Sequence, residues 1–321
     1  MFFYNTIKTE SIIKKGTIIM IIAIDSGGTK TKILVADNKG NIAHESYTKG
    51  FGKAVDNADE PIKELEDAIR DIPGYNKAEK IVVNLGGKNS SQVENTLKAL
   101  CPDALIKVFR ESGGIIGNFM REKLGADVMI FAGTGAITLG GYKGRYFVSD
   151  GWGRDIGDCG SGYYIGLSAI KKCLNAIEED EITPFVTAIT GQTNPFGAVD
   201  TPDGLMEKRD EVRENILPLE RDKVAAFTKV ATEHARLGDK LAIEIFEDVG
   251  NCLAKTAQRV LAKIGKCDNV KISVTGGVSN SVDLWRPSFE KYFEAKYKNF
   301  ELFVSEVDFA KGTLLYAINN L

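Results

Sequence analysis

Hydrophobic and polar positions change their spacing along the chain, and these changes predict an alternation of strands and helices. Short apolar segments bounded by glycine, asparagine and proline turn signals are typical of strands, and apolar side chains at i, i+3, i+4 and i+7 are typical of helices. The predicted strands lie at 20–27, 29–37, 41–47, 80–87 and 105–109, and the predicted helices at 60–72, 90–100 and 112–124. The order β-β-β-α-β-α-β-α predicts one complete α/β unit.

The same pattern starts again at Asp127, with a second strand triplet and glycine-rich connections. Further strands are predicted at 269–277 and 300–305, and helices at 161–177, 181–265 (several), 282–297 and the C-terminus. The topology repeats, but the residues do not. We therefore predict two domains, 20–124 and 125–305, that face each other across a cleft. The C-terminal helix, 306–321, is predicted to pack back on the first domain. Residues 1–19 are predicted to be an N-terminal extension without a role in the fold, and whether they belong to the native chain is left open.

Composition narrows the classes of function. The 321 residues are 43% hydrophobic and 26% charged with a net charge of −3, which excludes a disordered chain and argues against nucleic acid as the main ligand. The longest apolar run, 18–24, is too short to cross a bilayer, so no membrane partner is expected. Five scattered cysteines with no C-x-x-C pair indicate reduced thiols and a cytoplasmic protein.

The hairpin between the first two predicted strands carries residues suited to phosphate. Gly27 and Gly28 let backbone N–H groups approach an anion, while the Thr29 hydroxyl and the Lys30 ammonium add donors. Asp25, at the end of the strand, is suited to a hydrated Mg²⁺. The loop is not a P-loop, because its glycines join two strands rather than a strand and a helix. The alternative is an ordinary Gly-Gly hairpin turn.

Two further glycine loops follow the same logic. Gly133, Thr134 and Gly135 occupy the equivalent hairpin of the second unit, again with a hydroxyl between glycines. The loop 274–280 follows a buried strand, and its glycines would admit a flat ligand close to the backbone. Its polar end, Ser279 and Asn280, is available to cap the next helix. The members of this third loop that we assign to ligand binding are Gly276, Gly277 and Asn280.

These three loops, 25–31, 131–136 and 274–280, resemble the phosphate-1, phosphate-2 and adenosine segments of the actin-like ATPase superfamily. The stretch 150–162 is similar to a segment typical of N-acetylglucosamine kinases and of the wider BadF/BadG/BcrA/BcrD ATPase family. The resemblance runs from Met20 to the C-terminus. It implies an α/β fold of two actin-like ATPase (ribonuclease H-like) domains across a nucleotide-binding cleft, with ATP and Mg²⁺ as cofactors and a homodimer as the assembly.

The resemblance also assigns roles on the nucleotide side. Asp25 becomes the ligand of the Mg²⁺ water shell and a catalytic residue. Thr29 and Thr134 become contacts of the nucleotide phosphates. Gly276 and Gly277 would flank the adenosine.

On the sugar side, the Gly-Trp-Gly turn and the aspartate that follows it hold sugar hydroxyls in these kinases, which maps onto Gly151, Trp152 and Asp158. The alternative for Trp152 is a buried aromatic at a domain interface, and for Asp158 a helix N-terminal cap. The general base of the kinases, an aspartate, corresponds here to Glu111, which would also contact the sugar. The alternative for Glu111 is an interaction with the dipole of the next helix.

Three departures concern the sugar half of the site. Glu111 carries one methylene more than the usual aspartate, and a misplacement near 1 Å costs on the order of 100-fold in rate. Cys159 stands where the family has a glutamate. No asparagine lies in the loop 49–54, where the kinases supply one to the sugar, and Asn57 is the nearest candidate.

The sequence therefore predicts a kinase that transfers phosphate from ATP to the primary hydroxyl of an amino sugar of the N-acetylglucosamine or glucosamine type. One alternative is an ATPase that drives a partner protein, as the 2-hydroxyacyl-CoA dehydratase activators of the wider family do, although the cluster-binding cysteines of those activators have no match here. Another is a degenerate kinase that senses sugar or nucleotide without turnover.

Overall fold

The computed structural model describes residues 19–27, 30–51, 59–85, 89–109, 114–194, 197, 200–217 and 220–321. The chain divides into two compact units. One contains the described residues up to Lys123 together with Val307–Leu321, and the other is Leu124–Glu306.

The strands and helices within these residues are numbered in chain order. The strands are β1 (Ile21–Ser26), β2 (Lys30–Ala36), β3 (Ile42–Lys49), β4 (Lys80–Leu85), β5 (Leu105–Phe109), β6 (Val128–Ala132), β7 (Ala136–Tyr142), β8 (Arg145–Asp150), β9 (Val270–Thr275) and β10 (Phe300–Val304). The helices are α1 (Asp59–Arg70), α2 (Ser90–Leu100), α3 (Gly114–Lys123), α4 (Gly162–Glu178), α5 (Pro184–Thr190), α6 (Pro202–Ile216), α7 (Arg221–Arg236), α8 (Lys240–Ile264), α9 (Val282–Glu294) and α10 (Phe309–Asn320). Short 3₁₀ turns lie at Tyr75–Lys77 and Gly277–Ser281.

The first unit is built on a sheet of strand order β3-β2-β1-β4-β5. β1 pairs antiparallel with β2 and parallel with β4, so the hairpin and the crossover meet at the central strand. Side chains of a strand alternate between faces. Ile22 and Ile24 accordingly join a buried cluster with α1 and α2, while Ile21 and Ala23 join one with α3 and α10. The sheet is therefore covered by helices on both faces.

The second unit repeats this order as β10-β9-β6-β7-β8. β6 pairs antiparallel with β7 and parallel with β9. Helix α8 packs so closely on β7 that a Cβ added to Gly140 would lie 2.3 Å from a methyl carbon of Val260. Trp285 of α9 is fully buried in the same hydrophobic cluster as Val260. The predicted α/β fold class, with two units of similar topology, is confirmed.

The cysteines differ from the sequence-based expectation. Cys159, in the loop before α4, and Cys252, on α8, form a disulfide with Cα atoms 5.8 Å apart. The expectation of reduced thiols is therefore wrong for these two, whereas Cys101, Cys173 and Cys267 are free. Partners separated by 93 residues leave no local pattern, and only the packing of α8 brings them together. None of the helices in the described part of the chain has both the length and the hydrophobicity that a bilayer crossing needs.

Candidate functional site

The first glycine hairpin joins β1 to β2. Its backbone closes through a hydrogen bond from the Gly27 N–H to the Lys30 carbonyl oxygen at 2.9 Å. Below it, the hydroxyl oxygens of Ser26 and Thr31 lie 2.7 Å apart in a buried hydrogen bond, and Ser26 Oγ also accepts from the Phe51 N–H. The base of the hairpin is thus fixed by side-chain hydrogen bonds. The predicted phosphate contacts Gly28 and Thr29, between these fixed ends, lie outside the described residues.

Asp25 lies at the C-terminal end of β1, directly opposite Asn84 of the parallel strand β4. Asn84 Nδ2 donates to Asp25 Oδ1 at 2.7 Å. The Asn84 side chain is buried, and its Oδ1 has no hydrogen-bond partner within the described ranges. The pKa of Asp25 is raised to about 6, mainly by burial and in smaller part by the charge of Asp308, against the opposing effects of the Asn84 hydrogen bond and Lys32. A carboxylate beside an unpartnered amide oxygen fits the oxygen ligands that a hydrated Mg²⁺ requires.

Strand β2 carries two lysines near the hairpin, Lys30 and Lys32. Lys32, directly opposite Asp25 in the register, places its Nζ 2.8 Å from Asp308 Oδ2 and 3.3 Å from a carboxylate oxygen of Glu45. Lys30 instead places its Nζ 3.7 Å from the ring centroid of Tyr47. A cation over an exposed aromatic ring is held by only about 0.5–1 kcal/mol. Lys30 is therefore the more readily released of the two, which suits its predicted role at a phosphate.

The second glycine hairpin joins β6 to β7. The Gly133 N–H donates to the Gly135 carbonyl oxygen at 2.8 Å, which closes the turn. The start of α4 supports it from behind, because the Gly162 N–H donates to the Gly133 carbonyl at 2.7 Å and the Tyr163 N–H to the Thr134 carbonyl at 3.2 Å. The Thr134 side chain is exposed. The hairpin is thus rigid at its backbone and presents a hydroxyl at its tip.

The predicted adenosine segment abuts this hairpin. Gly276 has φ 101° and ψ 175°, a backbone region that is essentially restricted to glycine. A Cβ at this position would lie 2.4 Å from the Ala132 carbonyl oxygen and 3.0 Å from the Gly133 nitrogen. A Cβ at Gly277 would meet nothing within 4 Å. The two glycines therefore differ: Gly276 permits the close packing, and Gly277 leaves space open beside it.

Ser279 and Asn280 do not cap α9, so that expectation is wrong. Ser279 Oγ donates to the Gly276 carbonyl at 2.7 Å within the 3₁₀ turn, and the Asn280 carbonyl accepts from Arg236 Nη2 at 3.0 Å. The residue at the N-cap position is Ser281, whose side chain makes no capping hydrogen bond. The 3₁₀ turn inserted before α9 displaces the helix start beyond the two predicted capping residues.

The loop after β8 is organised by Asp150. Its Oδ1 accepts from the N–H groups of Gly151 and Asp158, both at 2.8 Å, and its Oδ2 accepts from the Cys159 N–H at 2.9 Å. One carboxylate therefore draws both ends of the loop together. Trp152 projects from this loop with 75% of its surface exposed. An aromatic ring this exposed does not fit the alternative of a buried core residue.

Asp158 is buried at 4% exposure and lies beside the second glycine hairpin. A Cβ at Gly135 would lie 2.7 Å from Asp158 Oδ2. Asp158 accepts from the Gly153 N–H at 3.3 Å and from Arg221 Nη2 at 3.4 Å. Burial raises the pKa of Asp158, although the Arg221 charge acts against the shift. The alternative of a helix cap is wrong, because Ser161 Oγ caps α4 by accepting from the Tyr164 N–H.

The structure thus groups the predicted residues within each unit. The first unit holds Asp25, Gly27 and Lys30 at one end of its sheet, and the second holds the loops with the remaining predicted residues. These are Gly133, Thr134, Gly135, Gly151, Trp152, Asp158, Gly276, Gly277 and Asn280. The predicted base, Glu111, lies outside the described residues.

Sequence reasoning missed the roles of Asn84, Asp150 and Arg221. Asn84 had a visible signal, since it is the one amide within the apolar run 81–85. Arg221 had none, because its contact with Asp158 spans 63 positions of sequence.

Two units of one strand order, each with a glycine hairpin between its first two strands, define the architecture of actin-like ATPases and sugar kinases. The chain belongs to the BadF/BadG/BcrA/BcrD ATPase family, whose model matches residues 22–317.

Named relatives cover nearly the whole chain. It is 25% identical over 311 residues to an N-acetylmuramic acid/N-acetylglucosamine kinase of Clostridium acetobutylicum, covering 92% of this chain and 97% of that protein. It is 26% identical over 332 residues to an N-acetyl-D-glucosamine kinase of Dictyostelium discoideum, covering 94% and 98%. Among solved structures, a candidate N-acetylglucosamine kinase from Chromobacterium violaceum matches with a TM-score of 0.64 at 18% identity, covering 93% of this chain and 98% of that one.

A glucokinase of the ROK family from Streptomyces griseus, solved with glucose and AMPPNP, matches with a TM-score of 0.55 at 16% identity, covering 93% of this chain and 98% of that one. At these identities the structural matches establish the fold.

Proposed function

We propose that this protein is an ATP-dependent kinase that phosphorylates the primary hydroxyl of an amino sugar of the N-acetylglucosamine type. The observation that carries the proposal is the contact between Gly135 and Asp158. It places a hairpin suited to phosphate directly beside a buried carboxylate suited to sugar hydroxyls. The kinase names of the two curated relatives support the same reaction.

The roles follow from the chemistry of phosphoryl transfer, in which positioning and charge stabilisation do most of the work. Asp25 would hold the water shell of Mg²⁺, which when bound neutralises charge on the phosphates as a Lewis acid. Thr134 and the backbone of its hairpin would hold the phosphates. Asp158 would accept hydrogen bonds from the sugar hydroxyls, and the Trp152 ring would pack against the apolar face of the sugar. Glu111 would accept the proton that the attacking hydroxyl loses.

The test measures ADP release from Mg-ATP in the presence of one sugar at a time. The sugars are N-acetylglucosamine, glucosamine, N-acetylmannosamine, N-acetylmuramic acid and glucose. We expect release that depends on one or two of the amino sugars, and a loss of at least 100-fold in Glu111→Gln, because the base is gone. Glu79→Gln, an exposed carboxylate of the same unit, is the matched control and should keep full activity.

Other outcomes would direct the assignment elsewhere. ATP hydrolysis that no sugar stimulates would favour an ATPase that drives a partner protein. Sugar or nucleotide binding without ADP release would favour a sensor. A homodimer and a cytoplasmic location stay predictions, the first of which light scattering on the purified protein would test.

A further inference from the structure

Arg221, the first residue of α7, lies against the second glycine hairpin. A Cβ at Gly135 would be 2.7 Å from Arg221 Nη2, so only a glycine at this position lets the guanidinium approach the hairpin backbone this closely. The hairpin thus has an arginine beside it as well as the buried Asp158. Neither the sequence pattern nor the family resemblance assigns this arginine a role.

The described residues do not supply an acceptor to every hydrogen-bond donor of Arg221. Its ion pair with Asp158 is long, at 3.4 Å, whereas charge-assisted N–H···O bonds are usually 2.7–2.9 Å. Its Nε is buried and has no hydrogen-bond partner in the described part of the chain. The side chain as a whole is 32% exposed, so a ligand can reach it. A buried guanidinium donor without an acceptor is costly unless an anion supplies one.

We propose that Arg221 binds the phosphate groups of the nucleotide held by the Gly133–Gly135 hairpin. The proposal rests on the proposed function only in taking a nucleotide as the ligand of that hairpin. The planar fork of a guanidinium matches two phosphate oxygens at once, and an anion can occupy the free donors of Arg221 while Asp158 keeps its Gly153 hydrogen bond. A neutral sugar hydroxyl carries no charge that would complement the guanidinium.

A purely structural role makes a different prediction. If Arg221 served only to neutralise the buried Asp158, its loss would weaken the binding of phosphate-bearing and phosphate-free ligands alike. The decisive comparison is therefore between AMPPNP and adenosine, which share a base and ribose and differ in their phosphates.

The experiment measures the Kd of Mg-AMPPNP and of adenosine by calorimetry, without sugar, for the wild type, Arg221→Met and Arg221→Lys. We expect AMPPNP to bind about 10- to 100-fold more weakly to Arg221→Met, with a smaller loss in Arg221→Lys, which keeps the charge but loses the fork. Adenosine binding should change less than twofold. Lys223→Met removes an exposed charge two residues further along α7 and should leave both affinities unchanged.

Unchanged AMPPNP binding in Arg221→Met, or an equal loss for adenosine, would overturn the proposal. Arg221→Met could fail to fold because Asp158 would then be a buried charge without a partner. In that case the affinities are measured for the double variant Arg221→Met/Asp158→Asn, which removes this charge, and compared with those of Asp158→Asn alone. The kinase proposal and the proposal that Arg221 binds phosphate can be refuted independently of each other. AMPPNP binding that depends on Arg221 in a protein that phosphorylates no sugar would refute the kinase assignment alone.

Discussion

Gly276→Ala is the substitution whose effect the structure predicts most sharply. The backbone at Gly276 has φ 101° and ψ 175°, and holding alanine in such a region costs about 1–3 kcal/mol. The added Cβ would also lie 2.4 Å from the Ala132 carbonyl oxygen. Both neighbours are backbone, so relief requires the strand end and the loop to separate, at about 1–3 kcal/mol more. We expect a total loss of about 2–6 kcal/mol in the free energy of unfolding.

The assay is urea unfolding followed by tryptophan fluorescence. Both tryptophans, Trp152 and Trp285, lie in the second unit, so the signal reports the unit that carries the substitution. Gly277→Ala is the matched control, because its Cβ would meet nothing within 4 Å, and we expect a change within about 1 kcal/mol. Equal unfolding free energies for the two variants would refute the argument that Gly276 allows the predicted adenosine segment to pack closely on the second glycine hairpin.

Three further predictions address other parts of the candidate site. Asn84→Leu removes both the hydrogen bond to Asp25 and the unpartnered amide oxygen. We therefore expect the Mg²⁺ concentration for half-maximal ATP binding to rise about 10-fold or more. An unchanged concentration would show that Asn84 is not part of the metal site. Cys252→Ser should lower the free energy of unfolding by about 2–4 kcal/mol without reductant and by much less with it, measured by urea unfolding, since the disulfide with Cys159 closes a long loop. Trp152→Ala should leave the free energy of unfolding within about 0.5 kcal/mol because the ring is exposed, yet raise the KM for sugar; a large loss of stability would show that the ring is packed in solution.

Much of the fold could be predicted from the sequence because its signals are local. Strand β1 follows from a short apolar run that is buried along almost its whole length, and the helix predicted at 90–100 from apolar spacing is found at Ser90–Leu100. The glycine hairpins were also predictable, since each stands between two apolar strands. The long-range partners were not. The contact of Asp158 with Arg221 and the pairing of Cys159 with Cys252 depend on how α7 and α8 pack, which no window of sequence contains.

The strand registers explain why the two similar units take different roles. In the first unit, the residue before the last of β1 is Asp25, and its parallel neighbour in β4 is Asn84. In the second unit, the corresponding pair is Phe131 of β6 and Thr275 of β9. An aromatic ring offers no ligand to a hard cation, whereas a carboxylate beside an amide does. The topology therefore supplies each unit with a glycine hairpin, but only the first has a carboxylate at this register position, and that unit is where a metal ion should be sought.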